Sequence, residues 1–238
     1  MRLPLDFVFI DTEHIPIGRE SLAWMCTTYR ALGFAPIVRI PSPDPYQATM
    51  ALDGGAEGII APYVESEHQV LQLVGAVKHR PLKGRLLEDL LTGRSTPSPT
   101  LRQYMDAGCA GNVLIVNIES TPGIESLPKI LEIAGLDGVL IGPHDLSTSL
   151  GIPEQYADPA FDAAVRKIIN LTRAAGKGVG IHYWHDIEQE KAWLAAGANL
   201  MIHSADILAF VAGMKRDLDI LRQVAGTARA TAPGAINI

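Results

Sequence analysis

Seven short apolar runs, each ending in polar residues and most separated by a stretch with helical spacing, restrict this chain to very few folds. The runs are "FVFI" from Phe7, "PIVRI" from Pro36, "GIIAP" from Gly58, "NVLIVNIE" from Asn112, "GVLIGP" from Gly138, "GVGIH" from Gly178 and "LMIHS" from Leu200. They lack polar alternation, so they predict strands buried on both faces. Between them lie helical patterns. In "DPAFDAAVRKIINLTRAAGKG" the apolar positions are Phe161, Val165, Ile168, Ile169 and Leu171, with Gly176 expected at the C-terminal cap. In "DIEQEKAWLAAGAN", Asp186 is expected as N-cap, Gln189 at the capping-box position and Gly197 at the end. Strands alternating with helices predict a parallel sheet with crossover helices.

Two architectures satisfy that pattern, the doubly wound open sheet and the closed (β/α)8 barrel. An open sheet usually carries a glycine-rich phosphate turn after its first strand. Here that position reads "DTEH", whose carboxylates would repel phosphate. A barrel instead gathers its site from the C-terminal ends of many strands. These ends carry Asp11, Glu13 and His14, then Arg39, Glu119, His144 and Asp145, His182, and Ser204. The expected fold is a TIM-type (β/α)8 barrel over residues 1–225 that lacks its first β/α unit, because only seven strands are found. Either that unit is lost, or the chain starts too late, or the tail or a partner subunit fills the gap. Residues 226–238 are small-residue rich and are expected to form a loose tail.

Bulk properties narrow the function. With 238 residues, 47% hydrophobic and 19% charged, the chain can build a sizeable core. A net charge of -6 with no Lys/Arg cluster argues against nucleic acid as a partner. No apolar run approaches the roughly 18 residues of a membrane helix. No signal peptide is visible, and Cys26 and Cys109 have no metal spacing, so a reduced cytoplasmic location is expected.

Glu119 and Asp145 follow strongly apolar strands, with no nearby Lys or Arg in sequence. Two carboxylates converging on one mouth repel unless a cation lies between them. All-oxygen ligation suits Mg²⁺ or Mn²⁺, with Co²⁺ a further option. The plainer alternative makes Asp145 a helix cap and Glu119 an arginine partner. Arg39, at the end of an apolar strand, needs an anionic partner. It either stabilises an oxyanion or carboxylate of the substrate, or pairs with Asp11 or Glu13. His14 is a candidate base. Asp53, which closes a helix before the next strand, is the carboxylate expected to orient it. His144 and His182 are rivals at the same mouth. "HYWH", from His182 to His185, leaves a histidine zinc site open, although no HExxH is present.

Five ordered motifs, "FVFIDTEH", "VRIP" with "DP" just after, "LDGGAEGIIAP", "VNIES" and "IGPHDLS", resemble the HpcH/HpaI aldolase family of metal-dependent class II pyruvate aldolases, grouped with citrate lyase β-like barrels. The resemblance runs from about Phe7 to Leu221. It implies that Glu119 and Asp145 ligate a divalent metal, that His14 is the base with Asp53 as its partner, and that Arg39 stabilises the transition state. Asn117 and the main chain around His144 would help hold pyruvate. The implied reaction cleaves a 4-hydroxy-2-oxo acid to pyruvate, or a close 2-oxo acid, and an aldehyde.

Four features depart from the family pattern: the absent opening unit, Asn117 in place of a glutamine, His144 in place of a small residue, and the segment "RPLKGRLLEDLLTGRSTPSPTLRQY", which departs most. The resemblance also implies a homo-oligomer, commonly a hexamer, docked through C-terminal helices. "ADILAFVAGMKRDLDILRQV" offers Ile207, Phe210, Val211, Met214 and Leu218 as one stripe. Other activities compatible with such a site are a citrate-lyase-like cleavage of a CoA thioester, for which Lys78 to Arg85 is the basic candidate segment, and oxaloacetate decarboxylation. A non-enzymatic alternative is an inactive truncated barrel that serves as a binding protein.

Overall fold

The computed structural model describes residues 3–226. Seven parallel strands pair in chain order, β1 Phe7–Asp11, β2 Ala35–Arg39, β3 Gly58–Ala61, β4 Val113–Asn117, β5 Gly138–Ile141, β6 Gly178–Tyr183 and β7 Leu200–His203. All seven coincide with the apolar runs. Ten helices connect and flank them: α1 Arg19–Ala31, α2 Pro45–Asp53, α3 Glu67–Lys78, α4 Gly84–Leu91, α5 Pro99–Cys109, α6 Thr121–Leu131, α7 Pro143–Ser149, α8 Pro159–Ala174, α9 Ile187–Ala195 and α10 Asp206–Val224. The result is a nearly closed, TIM-like α/β barrel. Among the described residues no ladder joins β1 to β7, so the sheet keeps two edges and a seam between them. The tail residues 227–238 lie outside the described residues.

The period-2 alternation of a strand divides the apolar residues into two layers. One set packs outward beneath the helices, including Ile10, Val38, Ile59, Val116, Val139 and Ile181 with Phe161, Val165 and Ile168 of α8. The other set fills the barrel interior: Ile37, Ile60, Ile115, Leu140 and Ile202, with Phe7 and Phe9 packed against them. Register then fixes which polar groups crown this inner column. Asp11 pairs with Arg39, Asn117 with Leu140, and His182 with Ile202. Asp11, Arg39 and Asn117 follow inward-facing apolar positions on their strands and His182 follows inward-facing glycines, so all four stand at the mouth.

Local sequence sets the helix ends. Ser66 and Gln69 form a capping box on α3, Asp158 caps α8 through the Ala160 amide, and Gly176 adopts φ 73° just past the end of α8. One expected box is not made. Asp186 does cap α9 through the Glu188 amide, but the Gln189 side chain turns away. It accepts from the Tyr183 hydroxyl and donates to the Tyr156 carbonyl. A buried phenol needs an acceptor, and that need outweighs the reciprocal cap.

Candidate active site

The site is assembled on two sides of the mouth. On one side, β4 runs straight into Ile118 and Glu119. Glu119 is 2% exposed, and its Oε1 accepts the Tyr63 amide at 2.6 Å while Oε2 accepts Asn117 Nδ2 at 3.1 Å. Tyr63 reaches this position in the left-handed region, at φ 49°, an unusual conformation for a bulky residue. Burial, with the charge of Asp145 adding to it, outweighs the two hydrogen bonds and raises the Glu119 carboxyl from an ordinary 4.5 to about 7. Asp145 lies in the first turn of α7, half-buried. It has no hydrogen bond or ion pair among the described residues, and its charge also acts on Glu13. It is not the helix cap; Gly142 holds that position. Nor, among the described residues, does Glu119 pair with an arginine.

On the other side, β1 and β2 hold Arg39 between two acids. Its Nε and Nη2 form a fork onto Asp11 at 2.9 and 2.7 Å, and Glu13 Oε2 lies 3.2 Å from Nε. Burial alone would lower the guanidinium pKa, but Asp11 and Glu13 raise it above its ordinary value. Burial pushes Asp11 up, and Arg39 with the Glu13 amide brings it below the ordinary range. Burial raises Glu13, with Asp11 and Asp145 adding to it against the pull of Arg39. The ion pair expected as one alternative for Arg39 is therefore present. Nη1 has no partner among the described residues and remains available to an anionic substrate. His14 is exposed, and Nε2 lies 3.7 Å from Glu13 Oε2.

The partnership expected between His14 and Asp53 is not made within the chain. Asp53 closes α2 and binds Arg80. Strands run away from that end of the helix, so Asp53 belongs to the opposite rim of the barrel. The main chain at His144 is partly committed: its carbonyl accepts Ser147 Oγ at 2.8 Å and Thr148 Oγ1 at 3.0 Å. The first amides of α7 have no intrahelical acceptor and point their dipoles at the mouth. The His144 side chain is exposed beside Glu154, at 3.6 Å. His182 and His185 do not converge: His182 faces the barrel interior, and His185 stacks on Tyr156 and Trp184. Among the described residues no group of three or more His, Cys, Asp or Glu is placed to hold a metal. A cation here would take Glu119 and Asp145 from the protein and the rest of its ligands from water or substrate, which is the habit of Mg²⁺.

Two observations fit such a cation. Asn117 is fully buried, its Nδ2 is committed to Glu119, and its Oδ1 has no hydrogen-bond partner. An unpartnered buried acceptor beside a buried carboxylate is costly unless a cation or an ordered water completes it. Gly142 supplies the room: a Cβ there would stand 1.8 Å from Glu119 Oε2. Sequence reasoning did not single out Gly142 or Tyr63. The "IGPHD" motif carries a signal for Gly142, whereas nothing in the sequence marks a left-handed tyrosine.

Comparison with known proteins agrees with this arrangement. The family model for HpcH/HpaI aldolase/citrate lyase matches residues 1–211. A hydroxypyruvate/pyruvate aldolase of Roseobacter denitrificans is 33% identical over 85% of this chain and 78% of its own length. A 2-keto-3-deoxy-L-rhamnonate aldolase of Salmonella gallinarum is 30% identical over 92% of this chain and 81% of its own. Among solved structures, citrate synthase SbnG superposes with a TM-score of 0.80 at 29% identity, over 94% of this chain and 86% of that one. With the family model matching residues 1–211 and relatives at 30% identity or more along most of its length, the chain belongs to the HpcH/HpaI aldolase/citrate lyase family.

Proposed function

We propose that the protein is a divalent-metal-dependent aldolase that cleaves a 4-hydroxy-2-oxo acid to pyruvate, or a close 2-oxo acid, and an aldehyde, and that also runs the reverse condensation. The observation that carries this reading is the buried Glu119 carboxylate, raised by burial and Asp145, with the unpartnered Asn117 Oδ1 beside it. Glu119 and Asp145 would hold the cation, Mg²⁺ or Mn²⁺ by their oxygen chemistry, with Co²⁺ also compatible. When bound, it supplies Lewis-acid polarisation of the substrate carbonyl. Arg39, fixed by its fork onto Asp11, presents Nη1 to the oxygen that gains negative charge as the C3–C4 bond breaks. The first amides of α7 and the Asn117 amide group orient the carboxylate end of the 2-oxo acid. His14, exposed at the rim, takes the 4-hydroxyl proton in cleavage and returns it in condensation.

The test is exchange of the pyruvate methyl protons in D₂O with Mn²⁺. The wild-type protein should exchange them well above buffer, and Asp145→Ala should reduce exchange to the buffer rate. Absence of exchange in the wild type would favour a non-enzymatic barrel. A CoA-dependent activity finds less support. In Lys78 to Arg85, Lys78 binds Asp137 and the Asn112 carbonyl, and Arg80 binds Asp53, all at the rim opposite the mouth.

We also propose that α10 docks on another copy of the chain. None of its nineteen residues is buried, while Phe210, Met214, Leu218 and Leu221 are exposed.

A further inference from the structure

Beyond the metal pair and Arg39, one wall of the mouth is a continuous belt of rings. Tyr156 lies 4.6 Å from His185, His185 lies 4.9 Å from Trp184, Trp184 lies 5.1 Å from His182, and His182 lies 5.4 Å from Phe9. At one end Tyr156 lies in the field of Asp145; at the other, Arg39 stands over the Phe9 ring at 5.5 Å. The belt thus joins the two halves of the site and reaches across the barrel from His182 on β6 to Phe9 on β1.

His182 is the polar member of that wall. Register turns it inward above Gly178 and Gly180, and at Gly180 the β7 backbone takes the place of a side chain: a Cβ there would stand 1.3 Å from the Leu200 carbonyl oxygen. Its Nε2 lies 3.1 Å from the Ser204 carbonyl, which only accepts, so Nε2 carries the hydrogen. Burial lowers the pKa of His182 and keeps the ring neutral. Nδ1 is then an acceptor, and among the described residues it has no donor. Ser204 holds its carbonyl in place from a left-handed backbone, φ 63°, tied to the Tyr183 carbonyl through its amide.

We propose that this belt is the subsite for the aldehyde half of the substrate, and that it selects a short hydroxyaldehyde: the ring faces cover its carbon chain and His182 Nδ1 accepts its hydroxyl. The inference rests on the aldolase reading above. A site built to hydrogen-bond a hydroxyl discriminates against the analogue lacking it, because the half-buried acceptor then loses its partner.

Glycolaldehyde and propanal have the same number of heavy atoms and differ by a hydroxyl against a methyl, so the pair isolates this contact. The experiment measures kcat/KM for each in condensation with pyruvate and Mn²⁺. Taking the glycolaldehyde-to-propanal ratio relative to wild type cancels their unequal intrinsic reactivity. His182→Leu should lower the ratio about tenfold, the span of one lost hydrogen bond. His182→Asn, which keeps an acceptor near Nδ1, should stay within about threefold of wild type. Trp184→Ala, at an exposed position that the fold does not need, should raise KM for glycolaldehyde about fivefold or more and leave KM for pyruvate in place.

A purely structural His182 predicts an unmoved ratio in His182→Leu, and that result would overturn the subsite. If His182→Leu does not fold, an unmoved aldehyde KM in Trp184→Ala overturns it instead. Wild-type exchange of the pyruvate methyl group separates the two levels. Exchange with unmoved ratios overturns the subsite alone, and no exchange overturns the aldolase reading and the subsite with it.

Discussion

Replacing Glu119 by glutamine keeps the side-chain shape and deletes a charge that the metal-free fold holds at a cost. The carboxyl is raised from 4.5 to about 7. Between those values the folded state binds a proton that the unfolded chain has lost, so stability falls as pH rises through the window and stays lowered above it. A shift of that size corresponds to about 3 kcal/mol at pH 8, and to less than about 1 kcal/mol at pH 5, where the folded-state group is protonated. Glutamine keeps an acceptor for the Tyr63 amide and offers an amide donor to Asn117, whose Oδ1 has no partner. Metal-free Glu119→Gln should therefore unfold on the order of 6–12 °C above wild type at pH 8, and nearly with it at pH 5. Thermal unfolding in EDTA at the two pH values checks this. Added Mn²⁺ should reverse the order by raising the midpoint of the wild type alone. An equal midpoint at pH 8, or the same gain at pH 5, would refute the reasoning that burial and Asp145 load this carboxylate.

Gly142→Ala would drive a Cβ to 1.8 Å from Glu119 Oε2. It should cost about 1–3 kcal/mol by denaturant unfolding and weaken Mn²⁺ binding by calorimetry, since the carboxylate that must move is tied by the Tyr63 amide and Asn117 Nδ2. His14→Ala should slow cleavage of the 4-hydroxy-2-oxo acid about 10²-fold or more while Mn²⁺ affinity holds; lost affinity would make His14 a ligand instead. Phe210→Glu on α10 should lower the assembly state seen by light scattering, with the barrel's thermal midpoint little changed, since that side chain is 63% exposed.

The strands were legible because a strand buried on both faces leaves an unbroken apolar run, and nothing else of that length does. The mouth was legible for the same reason: once strand ends are known, the residues after them must share one rim. That placed Glu119, Asp145, Arg39 and His14 together without any contact information. Asp53 was misplaced because its motif lies beside a strand in sequence, yet the helix before that strand delivers it to the opposite rim, onto Arg80. The Gln189 cap failed for a related reason, as a tertiary acceptor was needed by Tyr183. Tyr63 and the ring belt depend on loop backbone and on distances across the mouth, and neither leaves a periodic trace.

The seam has a consequence for how firmly the two halves of the site are held. A ladder with ends frays from its ends, and amide hydrogens there exchange through small openings rather than through global unfolding. Glu119 and Asp145 hang from β4 and β5 in the interior of the array, paired on both flanks. Asp11, Glu13 and His14 hang from β1, which is paired on one flank only. The side of the mouth that bears Glu119 and Asp145 is thus anchored in the slow-exchanging middle, and the side that bears Asp11, Glu13 and His14 is carried by a strand that can open on its own.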